Sequence, residues 1–272
     1  MDYIKKDGSW IPKLGFGTFN LTGREAIGVL EFALDVGYRH FDTAQMYQNE
    51  DVIGKVIGAA NVPRDRLFIT TKVWGTNLNE NRFLPSVEQS LKQLKQDYVD
   101  LLLIHWPNKN IPLNESLDQL VRAQDKGYCK LIGVSNFTVD LLEKVEARGV
   151  DIACNQFEYH PFLNQDKLLA KTRSMGCFAT AYAPLAKGQI VDIEILKNIA
   201  LKHKVKPAQV ALRWLVQQKD VVAIPKSSQL YRIKQNFDVF NFHLTEEEMV
   251  QISDLQSRNK RFIDPEFAPT WD

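Results

Sequence analysis

Apolar runs of four to six residues alternate along most of the chain with amphipathic stretches of ten to eighteen. The runs predict strands at 14–17, 38–42, 67–72, 99–105, 130–134, 152–156, 177–182 and 221–225. They are continuous rather than strictly alternating, which suits parallel strands covered on both faces. The stretches between them carry a helical period. Over 23–36, Ile27, Leu30 and Leu34 share one face, and over 80–96 so do Leu84, Val87, Leu91 and Leu94. A further helix is expected over 207–218, with Pro207 in its first turn. Asn79 and Thr138 stand where N-caps belong. Ahead of the first pair, Asp7-Gly8 between two short apolar stretches predicts a hairpin turn, and so a two-stranded plug over 3–12.

Strand–helix alternation with no linker, low-complexity tract or short repeat predicts one parallel α/β domain over 1–272. An open doubly wound sheet and a closed barrel both alternate in this way. Eight strands favour closure, as do polar residues at most strand C-termini. An open sheet gathers its ligand at one switch point, whereas a barrel draws on many strand ends. The expected architecture is a (β/α)8 TIM barrel with an N-terminal hairpin cap, a C-terminal extra helix and a tail. Its 272 residues are near the ~250 usual for that fold. Gly15-Phe16-Gly17 begins like a dinucleotide fingerprint, but Asn20 stands where the third glycine belongs and no helix opens directly after it. These glycines are read as allowing close backbone packing at the end of the first strand.

Charge and composition narrow the function classes. Lys plus Arg number 34 against 33 Asp plus Glu, a net charge of +1, so nothing favours nucleic acid or an anionic membrane. No apolar run reaches the ~18 residues of a membrane span, and the N-terminus lacks the apolar region of a signal peptide. Cys129, Cys154 and Cys177 lie in strand-like segments without metal-site spacing, and are expected as buried, reduced thiols of a cytoplasmic protein.

Chemistry concentrates at successive strand ends. Asp42 closes one run, with Tyr47 five residues later; Lys72 closes the next; His105 closes the one after. A free phenol is a weak acid, with a pKa near ~10. An ammonium beside Tyr47 would stabilise its phenolate and lower that value. Lys72 is expected to supply the charge, with Asp42 as its counter-ion, and His105 to orient a substrate oxygen. Together they would polarise a carbonyl and protonate the resulting alkoxide. Other readings compete. Asp42 and Lys72 can be a structural ion pair and His105 a core histidine. His40, Asp42, His105 and His160 can be misread as metal ligands, although Lys72 would repel a cation. Lys72 alone can form a Schiff base.

Five segments carry a family resemblance. They are Gly37-Tyr38-Arg39-His40-Phe41-Asp42-Thr43-Ala44 with Tyr47, Ile69-Thr70-Thr71-Lys72-Val73-Trp74, Tyr98–Pro107, Ile132-Gly133-Val134-Ser135-Asn136-Phe137 and Ile224-Pro225-Lys226-Ser227. In order and spacing the chain resembles the aldo-keto reductases from Pro12 to the tail. The resemblance implies a (β/α)8 barrel that reduces aldehydes and ketones with NADPH. It makes Tyr47 the general acid, tuned by Lys72 and Asp42, and gives His105 the substrate. Ser135, Asn136 and Gln156 match positions that bind the carboxamide, and Tyr182 the aromatic under the nicotinamide. Lys226, Ser227 and Arg232 match contacts to the adenosine 2′-phosphate, and Gln235 and Asn236 contacts to adenine. Thr18, Phe19, Leu185 and Ser228 complete the implied cofactor surface. Gln229 departs from the pattern, since related reductases often carry another arginine there.

Phe19, Trp74 and Trp106 match pocket walls, with His105 among them, and no metal is implied. The short loop Pro184–Gln189 and the tail Arg261–Asp272 resemble the bacterial 2,5-diketo-D-gluconate reductases of B type. Keto-sugar acids, methylglyoxal and aromatic aldehydes are the implied substrates, and a monomer the implied state. A non-catalytic, cofactor-binding regulatory subunit is the remaining alternative.

Overall fold

A computed structural model describes residues 1–272. Two short antiparallel strands, β1 (Tyr3–Lys6) and β2 (Ser9–Pro12), come first. Asp7 and Gly8 turn between them with φ of 46° and 78°, the left-handed pair that a tight hairpin requires. Eight parallel strands follow in sequence order: β3 (Phe16–Gly17), β4 (His40–Asp42), β5 (Phe68–Val73), β6 (Val99–Ile104), β7 (Cys129–Ser135), β8 (Cys154–Glu158), β9 (Phe178–Tyr182) and β10 (Val221–Ala223). A parallel bridge between Leu14 and Ala223 joins the last strand to the chain entering the first. There Gly15 N–H donates to the Ala223 carbonyl and Ala223 N–H to that of Lys13, each at 2.9 Å. The sheet is therefore a closed (β/α)8 barrel. Its seam needs Gly17, because a Cβ there would lie 2.8 Å from the Ile224 carbonyl oxygen.

The helices α1 (Gly23–Val36), α2 (Glu50–Ala59), α3 (Phe83–Leu94), α4 (Leu113–Asp125), α5 (Val139–Arg148) and α6 (Asp166–Ser174) follow β3 to β8 in turn. Two helices, α7 (Glu194–His203) and α8 (Pro207–Gln217), lie between β9 and β10, and α9 (Leu230–Phe237) and α10 (Glu246–Ser253) follow β10. Periodicity located α1 to the residue. It ends at Gly37, whose φ of 119° admits the chain reversal and whose Cα faces Phe237 too closely for a Cβ. The expected start of α3 is early by three residues. Asn79 still does a cap's work, its Oδ1 accepting from the N–H groups of Asn81 and Arg82 at 3.2 and 3.1 Å. Thr138 is the N-cap of α5, but its hydroxyl caps nothing. The Asp272 side chain instead accepts from Val139 N–H.

Two apolar cores result. Inside the barrel, Phe68, Leu101, Leu103, Leu131, Ala153, Cys154, Phe178, Val222 and Ile224 pack around Ile11, which the hairpin pushes into the N-terminal end. A larger cluster fills the space between strands and helices. The strand over 38–42 begins two residues later than expected. Tyr38 is buried, but it packs on Phe16 and Phe237 rather than joining the sheet. The three cysteines are free and buried, and burial pushes the Cys129 and Cys177 thiols up to about 12. No helix is long and apolar enough to cross a membrane.

Candidate active site

Side chains alternate between the faces of a strand, so His40 and Asp42 on β4 share a face, as do Phe68, Thr70 and Lys72 on β5. Phe68 belongs to the inner core, His40 meets Thr70 Oγ1 at 3.2 Å, and Lys72 meets Asp42. These positions line the barrel interior, and the last polar side chain of each set arrives at its C-terminal mouth. Lys72 has no exposed surface. Its three N–H bonds find three oxygens: Asp42 Oδ1 at 2.5 Å, the Thr43 carbonyl at 2.7 Å and the Tyr47 hydroxyl at 3.5 Å. Gln156 on β8 donates to the other Asp42 oxygen at 2.8 Å. Tyr47 ends a single 3₁₀ turn, Gln45–Tyr47, and its half-buried ring stands edge-on to His105 with 5.6 Å between centroids. The four residues singled out from sequence thus form one cluster.

Burial opposes the charge of Lys72, but Asp42 and Tyr47 outweigh it and raise the ammonium's pKa. For Tyr47 the expected balance is corrected. Burial raises the phenol's pKa more than Lys72 lowers it, Asp42 adds to the rise, and the value ends above its ordinary one. Burial and the Lys72 charge hold His105 well below the usual histidine range, so its imidazole is neutral at neutral pH. His105 Nδ1 is buried with no hydrogen-bond partner. The other histidines raised as metal ligands are engaged elsewhere. His40 lies against Thr70 and the Pro12 carbonyl, and His160 Nε2 is 2.9 Å from Glu158 while its Nδ1 accepts from Phe162 N–H.

The expected carboxamide residues form a network of their own. Tyr182 donates to Asn136 Oδ1 at 2.7 Å, and Asn136 Nδ2 donates to the His105 carbonyl and to Ser135 Oγ. Asn136 holds a left-handed φ of 62°, which asparagine tolerates better than most residues. Thr18, fully buried, donates to the Asp42 carbonyl at 2.9 Å. Leu185 lies in the loop after β9, where Ala183, Ala186 and Lys187 all have positive φ. Across the mouth, Lys226, Ser228 and Arg232 are exposed around the start of α9, while Ser227 and Asn236 are buried and Gln235 half-buried. No carboxylate lies within 4 Å of Lys226 or Arg232; Arg232 Nε donates to the Tyr231 hydroxyl. Two unpaired cations at a helix N-terminus suit a phosphate, and the Asn136 amide and the Tyr182 ring suit a planar carboxamide. The donor set fits a dinucleotide.

An aromatic wall stands above the cluster. Phe19 packs edge-on to Tyr47, and Trp74 to His105. The tail supplies what sequence reading did not: Phe267 meets both Trp74 and Trp106, and Trp271 meets Trp106. The tail is pinned at its start, where the buried Glu158 carboxylate accepts from Phe262 and Ile263 N–H at 2.7 and 2.9 Å. A cavity of about 600 Å³ lies beside the cluster, lined by Pro107, Phe137, Lys144 and the tail and by none of the four clustered residues; Phe267, which packs on Trp74 and Trp106, is part of its lining. Asn49 also escaped notice, although it stands two residues after Tyr47. Its amide donates to the Thr18 and Leu21 carbonyls, and its oxygen accepts from the Thr43 hydroxyl. The only hint in the sequence was its place next to the phenol.

The model of the aldo/keto reductase family matches residues 13–257. The chain belongs to the aldo/keto reductase family. It is 40% identical to methylglyoxal reductase DkgB of Escherichia coli O157:H7, over 96% of this chain and 99% of that one. It is 39% identical to prostaglandin F synthase 2 of Bos taurus, over 95% and 92%. A crystal structure assigned as a candidate 2,5-diketo-D-gluconic acid reductase B superposes with a TM-score of 0.97 at 42% identity, covering 100% of this chain and 98% of that one. The aldose reductase of Schistosoma japonicum superposes with a TM-score of 0.92 at 33% identity, covering 99% and 98%. Relatives of this kind support carbonyl reduction as the reaction of this aldo/keto reductase.

Proposed function

We propose that this reductase uses NADPH to reduce small aldehydes and ketones, with Tyr47 as the general acid. One observation carries the reading: the Lys72 ammonium, buried at the barrel mouth, touches the Asp42 carboxylate on one side and the Tyr47 hydroxyl on the other. Bound NADPH would supply the hydride. Ser135, Asn136 and Gln156 would hold its carboxamide and Tyr182 its ring face, with Thr18, Phe19 and Leu185 alongside. Lys226, Ser227, Ser228 and Arg232 would meet the 2′-phosphate, and Gln235 and Asn236 the adenine.

The protein's own part is positioning and proton transfer. Neutral His105, with Nδ1 turned into the protein, leaves Nε2 to donate to the carbonyl oxygen. Tyr47 donates to the same oxygen. Its raised pKa keeps the phenol protonated until negative charge develops on that oxygen, and a secondary or primary alkoxide is basic enough to take the proton. Lys72 then steadies the phenolate left behind, and Asp42 keeps Lys72 charged. The wall of Phe19, Trp74 and Trp106 presents apolar faces and would set no demanding polar contacts. A pocket of this kind discriminates weakly, so we read methylglyoxal, 2,5-diketo-D-gluconate and aromatic aldehydes as its substrate range.

The test is NADPH consumption against methylglyoxal, 2,5-diketo-D-gluconate and 4-nitrobenzaldehyde, with Tyr47→Phe beside the wild type. The variant removes the transferable proton and keeps the ring. Turnover should fall by about 10²-fold or more, with NADPH affinity nearly intact. Wild-type turnover in Tyr47→Phe would remove the phenol from the mechanism.

A further inference from the structure

Gln45 opens the 3₁₀ turn that Tyr47 closes, and its side chain reaches away from the reacting groups. Its Nε2 lies 3.2 Å from the Ser86 carbonyl, 3.1 Å from Ser86 Oγ and 3.2 Å from Ser90 Oγ, all on α3. Its Oε1 accepts from Trp74 N–H at 2.9 Å and from Asn77 Nδ2 at 3.0 Å, in the segment that leaves β5. One amide therefore ties the turn carrying the phenol to the strand that delivers Lys72, to the backbone of a wall residue and to the helix behind both. Two residues beyond the turn, Asn49 ties the chain entering α2 to the loop after β3. Met46, between Gln45 and Tyr47, is exposed and offers no third anchor.

We propose that Gln45 is a positioning residue, holding the Tyr47 hydroxyl in register with Lys72 and with the Trp74 wall. The proposal rests on the reductase reading above. The leverage comes from the Lys72–Tyr47 contact, which at 3.5 Å is at the limit of a hydrogen bond. A drift of a few tenths of an ångström in the turn uncouples the phenol from its ammonium. Only a side chain with both a donor and an acceptor joins the two neighbours. An apolar residue of equal length would leave Trp74 N–H without its acceptor and the Ser86 and Ser90 hydroxyl oxygens without the donor Gln45 supplies. Gln45 touches neither carbonyl nor cofactor in this scheme; it acts through Tyr47 and Trp74.

The test compares wild type, Gln45→Met and Gln45→Glu. Rates of a single turnover are measured with NADPH and 4-nitrobenzaldehyde, and normalised to sites titrated with NADPH. Gln45→Met keeps the shape and loses the bonds. Its rate per site should fall by about tenfold or more, since displacements near 1 Å cost up to about 10²-fold, with the NADPH dissociation constant within about twofold of wild type. Gln45→Glu keeps the acceptor facing Trp74 N–H and Asn77 but sets a carboxylate oxygen against the Ser86 carbonyl, so it loses the tie to α3 and should also fall well below the wild-type rate per site. Should Gln45→Met fail to fold, Gln45→Asn replaces it: the shorter amide cannot span both neighbours and should show the same loss. A lower melting temperature with an unchanged rate per site overturns the proposal, as does a Gln45→Glu rate equal to that of the wild type. An active wild type with these outcomes sinks the Gln45 proposal alone. A wild type inert toward every carbonyl in the panel removes the reductase reading and this proposal with it.

Discussion

Lys72 survives without solvent because each of its three N–H bonds has an oxygen in place. An ammonium taken out of water costs several kcal/mol, and attraction to a carboxylate offsets this only when its remaining hydrogens are satisfied. The same reasoning separates the two buried imidazoles from the lysine. His40 and His105 have no carboxylate in hydrogen-bond contact, and burial lowers the pKa of each, with Lys72 adding to the effect. An unfolded chain takes up a proton on each histidine as pH falls below about 6.5, while the folded protein resists doing so. The unfolded state then binds more protons, and stability declines as pH falls through that range. Denaturant unfolding at pH 7.5 and pH 5.5 should show the wild type losing stability, with His105→Gln losing less by about 1 kcal/mol. Equal losses in the two proteins would mean that His105 is protonated as readily folded as unfolded.

At the scale of elements, what the sequence disclosed depended on whether the signal was local. Leu101, Leu102, Leu103 and Ile104 read as a strand because both faces of β6 are buried. The cluster of Asp42, Tyr47, Lys72 and His105 was legible because barrel geometry puts residues from successive strand ends at one mouth. The tail was not legible. Its anchor joins Glu158 to residues more than a hundred positions away, through backbone N–H groups that no side-chain pattern reveals. Gln45 was hidden for a similar reason, since a glutamine two residues before a tyrosine reads as an ordinary polar turn. The Tyr47 balance escaped because charge proximity follows from strand order, whereas the depth of burial depends on the packing of Phe19 and the walls around it. The Glu158 anchor has a measurable consequence. Glu158→Gln puts an amide where a carboxylate accepts from two backbone N–H groups and faces His160. Losing one such bond and leaving a buried donor unpaired costs about 1–3 kcal/mol. Denaturant unfolding should register that loss. Limited proteolysis should cut the variant after residue 260 before any other site, and uniform cutting of both proteins would show that Glu158 does not hold the tail.

For the whole molecule, a net charge of +1 gives no general attraction for a polyanionic cofactor, so any preference for phosphate must be local. Lys226 and Arg232, exposed and without carboxylates within reach at the start of α9, are where it would act. The loop after β9 and the network of Asn136 and Tyr182 lie on other elements, so a dinucleotide bridging them would stabilise the barrel as one unit. A ligand that binds only the folded state stabilises it by about 2.7 kcal/mol at a concentration of 100 Kd. At roughly 2–4 °C per kcal/mol for a chain of this size class, that is a rise of several degrees in Tm. NADH differs from NADPH only by the 2′-phosphate. At equal concentration NADPH should therefore raise Tm more than NADH, and added salt should narrow the gap by screening exposed charges. Lys226→Gly combined with Arg232→His should bring the NADPH shift down to that of NADH while leaving the NADH shift nearly unchanged. Were both shifts to fall together, the two cations would be supporting the fold of α9 or binding a part common to both cofactors, and the 2′-phosphate would have to be met elsewhere.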